Sequence, residues 1–447
     1  MAGTEIGKRW LWLILLTALA LRLFLAVVVQ LHVAKTPGRL CLIAGDAEGY
    51  WELAGKLAAG EPYSIYSPPR QLLRMPGFPL LLALPRVVFG ENPFAARLLL
   101  VLVGTIACGM TYWLGEVLAG RLVGLIACAY TAISPTMALF SVLFLSETAF
   151  AAAMLASLVS AAIFVRRLGS EQQQAHDTAV NAANSQPVDL TNSRSAQNFT
   201  GHFLLSVGTG ICVGIATYMR PTWILVGPGL GACLMIFASI RFRSRVWLAA
   251  GLCLGLGITL APWTIRNLAI THHFVPTTLW VGPSLYDGLN PHAAGDSDMR
   301  FFDDEQLMKS MSEYDMDQQY RRRAWEFVKA EPARVLDLAR LKQLRFWSPT
   351  SENEQFSNPF VSAVAWSAYL PLILLAVVGA VFSRRDLWLL ILTAAPIFYF
   401  ACLHLLFVGS LRYRLPAEYP LSVLAAVGIC QLTAYRSGRP TVQTASI

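Results

Sequence analysis

Long apolar runs are the feature that most constrains what this chain can fold into. About ten of them recur along the sequence, most of them close to the roughly 20 residues that a helix needs to cross a bilayer. Charged residues make up 14% of the chain, against about 25% in soluble domains. We therefore predict an all-α polytopic membrane protein with about 10 transmembrane helices (roughly 9–13). The predicted spans are 10–31, 94–118, 121–135, 147–165, 203–219, 222–240, 246–263, 361–382, 387–408 and 417–433.

Basic residues show how these spans alternate across the membrane. When the spans are threaded in order, one side receives Lys8, Arg9, Arg121, Arg166, Arg167, Arg241, Arg243, Arg245, Arg384, Arg385, Arg436 and Arg439. The short connection 136–146 on the other side has no Lys or Arg. This is the positive-inside pattern, so both termini are expected to be cytoplasmic. The net charge of +8 is explained by these span ends and anionic headgroups, so it does not indicate a nucleic-acid partner.

The polar segments between spans divide the chain into five parts. The expected parts are an N-terminal membrane module 1–165, a disordered cytoplasmic insert 166–202, transmembrane helices 203–263, an external loop 264–360 and C-terminal transmembrane helices 361–447. The N-terminal module includes an external loop at 32–93, which we call the first loop. The loop 264–360, which we call the second loop, is expected to cap the site. The insert is polar and nearly free of aromatic residues, which is typical of disorder.

The first loop contains two segments suited to the membrane surface. The stretch GDAEGYW begins an amphipathic helical pattern at Asp46, and an apolar segment between prolines is too short to span. We therefore predict two juxtamembrane helices, at 46–60 and 76–90. Asp46 either caps the first helix or serves as a functional acid. Arg74, just before the second helix, is either an interfacial anchor or a clamp for phosphate.

Acids and arginines recur at the other external span ends. Each arginine taken alone is explained as a headgroup anchor. Together they stand on the side that basic residues avoid, near external carboxylates, which favours a site for an anionic lipid phosphate. Transfer of a group from such a phosphate requires cations to stabilise the leaving group and one carboxylate to accept a proton. The residues concerned are Asp46, Arg74, Glu147, Arg220, Arg266, Arg412 and Arg414.

At these residues the sequence resembles the C-type glycosyltransferase (GT-C) superfamily, and most of all its bacterial branch related to protein O-mannosyltransferases and lipid A aminoarabinose transferases. The matching motifs are Gly45-Asp46 through Tyr50, Arg74-Met75-Pro76-Gly77-Phe78-Pro79, Ser146-Glu147, Arg220-Pro221, Pro262-Trp263-Thr264-Ile265-Arg266-Asn267 and Arg412 to Pro416. The resemblance implies that Asp46 is the catalytic base and that Glu147 is a second catalytic acid, which orients the acceptor or the sugar. It implies substrate-binding roles for Arg74, Glu48, Tyr50, Arg220, Arg266, Arg412 and Arg414.

The sequence departs from that branch at two places. Ala47 separates Asp46 from Glu48, where the protein mannosyltransferases have adjacent acids. Leu73 stands where the aminoarabinose transferases have an acid that helps to hold a metal. No histidine, cysteine or acid spacing matches a metal template. We therefore predict no metal site and no cofactor, with a divalent metal as the one cofactor that the resemblance leaves open.

The resemblance implies a glycosyltransferase of the hexosyl- or pentosyltransferase type in the bacterial inner membrane, with its site on the external face. It would move a sugar with inversion from a polyprenyl-phosphate donor to a hydroxyl of a lipid, protein or glycan, in contact with membrane lipids. Two other functions fit external arginines. A flippase or transporter of lipid-linked sugars would place charges or broken helices near the bilayer midplane. A polysaccharide polymerase or ligase would depend on the second loop.

Overall fold

The computed structural model describes residues 2–36, 39–43, 45–183, 193–350 and 358–437. Throughout these residues the regular structure is helical, and the β-structure is limited to one isolated bridge between Ile65 and Arg70. The helices before the second loop are α1 (Ala2–Ala34), α2 (Asp46–Ala59), α3 (Gly77–Phe89), α4 (Pro93–Ala119), α5 (Arg121–Ile133), α6 (Pro135–Phe140), α7 (Glu147–Ala183), α8 (Ser193–Met219), a 3-10 helix (Pro221–Leu225), α9 (Val226–Phe237) and α10 (Phe242–Thr271).

The remaining helices belong to the second loop and the C-terminal part. Those of the second loop are α11 (Val281–Gly288), α12 (Arg300–Glu305), α13 (Leu307–Ser310), α14 (Glu313–Ala330) and α15 (Pro332–Trp347). The C-terminal helices are α16 (Pro359–Phe382), α17 (Leu387–Thr393), α18 (Ala395–Leu403) and α19 (Leu411–Arg436). The predicted juxtamembrane helices at 46–60 and 76–90 are confirmed as α2 and α3.

Seven helices in the described part of the chain are long and apolar enough to cross a membrane. They are Gly7–Ala34, Pro93–Ala119, Glu147–Ser170, Phe199–Met219, Phe242–Thr271, Pro359–Phe382 and Leu411–Arg436. The other three predicted spans are shorter: α5 has 13 residues, Pro221–Phe237 begins as a 3-10 helix, and α17 and α18 are interrupted at Ala394. The chain is therefore an all-α integral membrane protein, as predicted.

Helix α19 forms the centre of the bundle. In its most apolar window 89% of the residues are buried, against 22% for α1 and for α16. Helix α16 packs closely against it, since a Cβ on Gly379 would lie 2.0 Å from the Leu424 carbonyl oxygen. Small residues allow such close helix approach in membranes. The first turn of α19, which carries Arg412, is thereby held at a fixed place in the bundle.

The described residues of the segment 166–202, for which we predicted a disordered insert, are helical. Helix α7 continues through Ala183 and α8 begins at Ser193, while residues 184–192 lie outside the described part. Ala, Glu and Gln are common between 171 and 183 and favour helix. A helix that extends out of a membrane span also avoids the cost of nucleation.

The two loops pack against each other at one end of the bundle. The Leu279 amide donates to the Leu72 carbonyl at 2.9 Å, and the Leu72 amide donates to Glu313 Oε2 at 2.8 Å. Arg70 donates to the Met311 carbonyl at 2.9 Å. Apolar side chains from both loops bury one another beside these bonds: Leu53, Ile65, Leu73, Phe302, Met316 and Tyr320. We call this contact the loop interface.

Candidate active site

Asp46 is the first residue of α2, and its carboxylate is directed away from its own helix. The expectation that Asp46 caps the helix is wrong, because the capping residue is Gly45, with φ +85°. The Gly45 amide donates to Glu48 Oε2 at 3.4 Å. Glu48 is exposed and is bound to the start of its own helix, so it contributes to α2 and does not line the cavity described below.

Two arginines bind the Asp46 carboxylate. Arg74 Nη2 lies 2.9 Å from Asp46 Oδ1, and Arg412 Nη2 lies 3.3 Å from Asp46 Oδ2. Tyr50, one turn along α2, places its ring 4.8 Å from the Arg74 guanidinium, which is cation–π distance. The first loop and α19 therefore meet at Asp46, although they are far apart in sequence.

Arg412 also binds Glu147, the first residue of α7. Its Nε donates to Glu147 Oε1 at 2.8 Å, and Arg220 Nη2 lies 2.9 Å from the same oxygen. Arg220 follows the end of α8, and its Nε donates to Ser146 Oγ at 3.1 Å. Arg412 thus bridges the two acids. We call the set of Asp46, Arg74, Glu147, Arg220 and Arg412 the arginine–carboxylate cluster.

The two acids of the cluster differ in exposure. The Asp46 side chain is 40% exposed, whereas that of Glu147 is completely covered. Glu147 Oε2 has no hydrogen-bond partner within the described structure. Asp46 is therefore accessible to a substrate, while Glu147 lies behind the guanidiniums and does not line the cavity.

A cavity of about 300 Å³ opens beside the cluster. Asp46, Tyr50, Arg74, Ser146, Arg220 and Arg412 form one part of its wall. Residues of the second loop, of the segment before α19 and of the first turn of α19 complete it, among them Trp280, Ser284, Asp287, Ser297, His404 and Tyr413. Sequence reasoning assigned no role to these last six. Tyr413 lies between two predicted arginines, but the loop residues follow no local pattern that could have identified them.

The cluster has an excess of positive charge. Three guanidiniums and two carboxylates leave one net positive charge beside the cavity. Burial raises the pKa of Asp46, but the Arg74 and Arg412 guanidiniums outweigh burial and lower the pKa to about 2. Asp46 is thus a carboxylate at neutral pH, and the guanidiniums offer further donors to an anion.

Two predicted arginines lie away from the cluster. Arg266 contacts the rings of Trp263 at 4.6 Å and Tyr63 at 5.7 Å, and it does not line the cavity. Arg414 is 1% exposed, and its Nε donates to Glu418 Oε1 at 2.7 Å. The structure therefore brings neither of these predicted substrate-binding arginines to the cavity. Each makes contacts typical of packing.

The cluster also does not fit a divalent metal. Hard cations prefer several oxygen ligands, but Asp46 and Glu147 already bind guanidiniums. Leu73, at the position where the resemblance implies an acid, is buried in the loop interface. Among the described residues there is no group of three or more His, Cys, Asp or Glu that could hold an ion. We therefore derive no step that uses a metal.

No family model and no curated protein matches the chain. Among solved structures it is similar to the oligosaccharyltransferase AglB from Archaeoglobus fulgidus in complex with an inhibitory peptide and a dolichol-phosphate, with a TM-score of 0.55 and 14% identity. A structure of the same enzyme with Zn and sulfate is similar with a TM-score of 0.53 and 15% identity. That alignment covers 95% of this chain and 50% of the archaeal chain.

The first alignment covers 96% of this chain and 51% of the archaeal chain, so this chain spans about half the length of that enzyme. ArnT from Cupriavidus metallidurans, bound to undecaprenyl phosphate, is similar with a TM-score of 0.40 and 14% identity, over 96% of this chain and 80% of that chain. At a TM-score of 0.55, the helical bundle described above shares the fold of the matched part of the archaeal oligosaccharyltransferase.

Proposed function

We propose that this chain is a membrane glycosyltransferase that moves a sugar from a polyprenyl-phosphate donor to a hydroxyl acceptor. The observation that carries the proposal is the cavity itself, which combines three guanidiniums with one accessible carboxylate, Asp46. Guanidiniums bind phosphate oxygens through paired hydrogen bonds. A carboxylate beside them can accept a proton from the attacking hydroxyl.

The similarity to the archaeal oligosaccharyltransferase supports the same proposal. The structure of that protein has been solved in complex with an inhibitory peptide and a dolichol-phosphate. We infer a related kind of donor here, a phosphate carried on a polyprenyl chain. The site would face the exterior of a bacterial inner membrane. Its end of the bundle is opposite to the end at which the basic residues of the positive-inside pattern are expected.

Binding of the donor would also activate the base. A sugar linked to a lipid through a phosphodiester carries one negative charge, which matches the one net positive charge of the cluster. Its phosphate oxygens compete with Asp46 for Arg74 and Arg412. Asp46 then loses the two contacts that lower its pKa to about 2 and becomes a stronger base. The base is thus strengthened only when a donor is present.

The transfer step follows from this arrangement. The acceptor oxygen attacks the anomeric carbon of the sugar and forms the new glycosidic bond, while Asp46 takes the hydroxyl proton. The bond between that carbon and the phosphate oxygen breaks, and the phosphate leaves with the electron pair. Attack opposite to the leaving group inverts the anomeric configuration. Arg74, Arg220 and Arg412 stabilise the second negative charge that develops on the phosphate.

Glu147 has a different role from the one expected from the sequence. Its carboxylate is covered, and it binds Arg220 and Arg412 through the same oxygen. We therefore assign Glu147 as a positioning residue that fixes both guanidiniums. It does not contact the acceptor or the sugar.

The experiment compares Asp46→Asn with Glu48→Gln in purified protein. Both variants remove one acid from the first turn of α2, but only Asp46 faces the cavity. Incubation with polyprenyl-phosphate sugars and a hydroxyl acceptor should release polyprenyl phosphate. We expect Asp46→Asn to slow this release by about 10²–10⁴-fold, the size of a lost general base. Glu48→Gln should stay near the wild-type rate.

Two results would contradict the proposal. The first is an Asp46→Asn variant that is correctly folded and transfers sugar at the wild-type rate. The second is movement of the intact lipid-linked sugar across vesicle membranes without transfer, which would indicate a flippase. A thermal unfolding curve in detergent controls for the loss of folded protein in either variant.

A further inference from the structure

Helix α11 brings a second buried acid to the cavity, apart from the arginine–carboxylate cluster. Asp287 lies near the end of α11, lines the cavity and is 4% exposed. Its Oδ1 accepts from the Asp298 amide at 2.8 Å, and its Oδ2 accepts from the Ser297 hydroxyl at 2.7 Å. Ser297 lines the same cavity. The second loop therefore holds this carboxylate in one orientation at the cavity wall.

This carboxylate lacks an ion-pair partner. Among the described residues, no Lys, Arg or His nitrogen lies within 4.0 Å of its oxygens. Lys342 attracts it electrostatically, but the Lys342 ammonium donates to the Leu405 and Leu406 carbonyls at 3.2 and 2.8 Å. A buried charge without a partner is costly. Such a group in a cavity is a candidate for ligand binding.

The hydrogen-bonding capacity of this wall is complementary to that of the arginines. Each carboxylate oxygen can accept two hydrogen bonds, and the protein donates one to each oxygen of Asp287. The Ser297 proton is used on Asp287, so its oxygen is left as an acceptor. The guanidiniums on the other part of the wall are donors only. A ligand that fits both must carry an anionic acceptor and, further along, hydroxyl or ammonium donors.

We propose that Asp287, held in place by Ser297, binds the sugar ring of the donor through its free hydroxyl or ammonium groups. This inference rests on the proposed function and extends it to sugar recognition. Arg74, Arg220 and Arg412 would hold the phosphate, while Asp287 would distinguish a carrier that bears a sugar from a bare carrier. The second loop would thus supply selectivity for the donor, and the first loop would supply the base.

The test measures the affinity of purified full-length protein for two probes. One is bare undecaprenyl phosphate, and the other is undecaprenyl phosphate that carries a sugar, from a panel of a hexose, an aminohexose and a pentose. We expect Asp287→Asn to weaken binding of the best sugar-bearing carrier at least about tenfold, as for one hydrogen bond to a charged group. Binding of the bare carrier should stay within about twofold. Ser297→Ala should also weaken binding of the sugar-bearing carrier and not of the bare carrier, with a smaller loss of affinity than Asp287→Asn.

Asp303→Asn serves as the matched control, since Asp303 is an exposed acid of the same loop that does not line the cavity. Equal losses for both carriers in Asp287→Asn would show that Asp287 only braces the loop, and would overturn the inference. Unchanged affinity of Asp287→Asn for both carriers would also overturn the inference. So would a wild-type protein that binds no sugar-bearing carrier better than the bare carrier. A wild type that binds neither carrier would overturn the proposed function as well.

Discussion

Arg412 and Arg414 stand two residues apart on α19 and have opposite surroundings. Arg412 binds carboxylates of two other elements beside the cavity. Arg414 is buried against its own helix and donates to two carbonyls at the end of α15, those of Phe346 and, at 3.1 Å, Ser348. Each residue turns an α-helix by about 100°, so two residues place side chains on nearly opposite faces. The motif therefore provides one arginine for the site and one for packing.

The type of partner separates the two kinds of arginine across the molecule. Arg22, inside the first span, is fully buried and donates to the Thr131 and Ala132 carbonyls at 3.0 and 3.1 Å and to Ser141 Oγ at 3.1 Å. Such an arginine donates hydrogen bonds to backbone carbonyls, for which lipid offers no donor. An arginine that binds carboxylates at a cavity wall can exchange them for phosphate. Arg414 also pairs with a carboxylate, but that pair is buried within the bundle, so carboxylate partners indicate function only at the cavity wall.

The largest expected effect is that of Arg412→Ala. This change removes a donor to the phosphate and the link between Asp46 and Glu147. We expect kcat/KM for transfer to fall by about 10²–10³-fold, as for a lost donor to a developing anion. Glu147 and Asp46 keep Arg220 and Arg74 as partners, so the unfolding temperature should fall less than in Arg414→Ala. The comparison between the two arginines fails if the Arg412→Ala variant transfers sugar normally.

Arg414→Ala should affect stability and leave the chemistry intact. It leaves Glu418 buried without its partner, and breaking such a pair costs about 3–5 kcal/mol. We expect a lower unfolding temperature in detergent and near-normal transfer per folded molecule. A variant that is as stable as the wild type but inactive would place Arg414 in the site and contradict the comparison.

A smaller effect is expected for Glu147→Gln, which keeps the shape of the side chain and removes its charge. Arg220 and Arg412 would be held less firmly, so the KM for the donor should rise by about tenfold while kcat changes less. Steady-state kinetics of Glu147→Gln and Asp46→Asn separates the two acids, because Asp46→Asn should lower kcat. A loss of kcat as large as that of Asp46→Asn would instead make Glu147 a catalytic acid.

The smallest effect is a difference between two pH profiles. Without donor, burial raises the pKa of Asp46 but Arg74 and Arg412 lower it from its ordinary 3.8 to about 2. These ion pairs therefore add stability above about pH 4 that is lost as the pH falls toward 2. The pH profile of kcat/KM reports the free enzyme and should show no acidic limb from Asp46 near neutral pH. The profile of kcat reports the enzyme with bound donor, and its acidic limb should lie at a higher pH. If both profiles have their acidic limb at the same pH, Asp46 keeps its arginine partners when the donor is bound.

Much of the fold follows from local sequence patterns. The apolar periodicity predicts α2 and α3 within two residues of their observed bounds. The span ends also place Asp46, Arg74, Glu147, Arg220 and Arg412 at one end of the bundle, where the structure joins them. The polar insert 166–202 is less clear from its sequence, because its composition is typical of disorder while Ala and Gln at 171–183 favour helix.

The rest of the site depends on tertiary contacts that no local pattern encodes. Asp287 and Ser297 lie in a loop without hydrophobic periodicity, and they reach the cavity only because the second loop packs on the first. Arg266 lies in a motif of the family, yet its guanidinium packs on Trp263 and Tyr63. Sequence spacing indicates the side of the membrane on which a residue lies, but not the direction of its side chain.

The loop interface has a consequence for engineering. The Leu279 amide donates to the Leu72 carbonyl, and the Leu72 amide donates to the Glu313 carboxylate, so these bonds join two segments that are more than 200 residues apart in sequence. A chimera that exchanges one loop with a relative would leave these amides and carbonyls unmatched. Exchange of both loops together would keep the interface intact. Donor selectivity is therefore expected to be transferable between relatives only as a pair of loops.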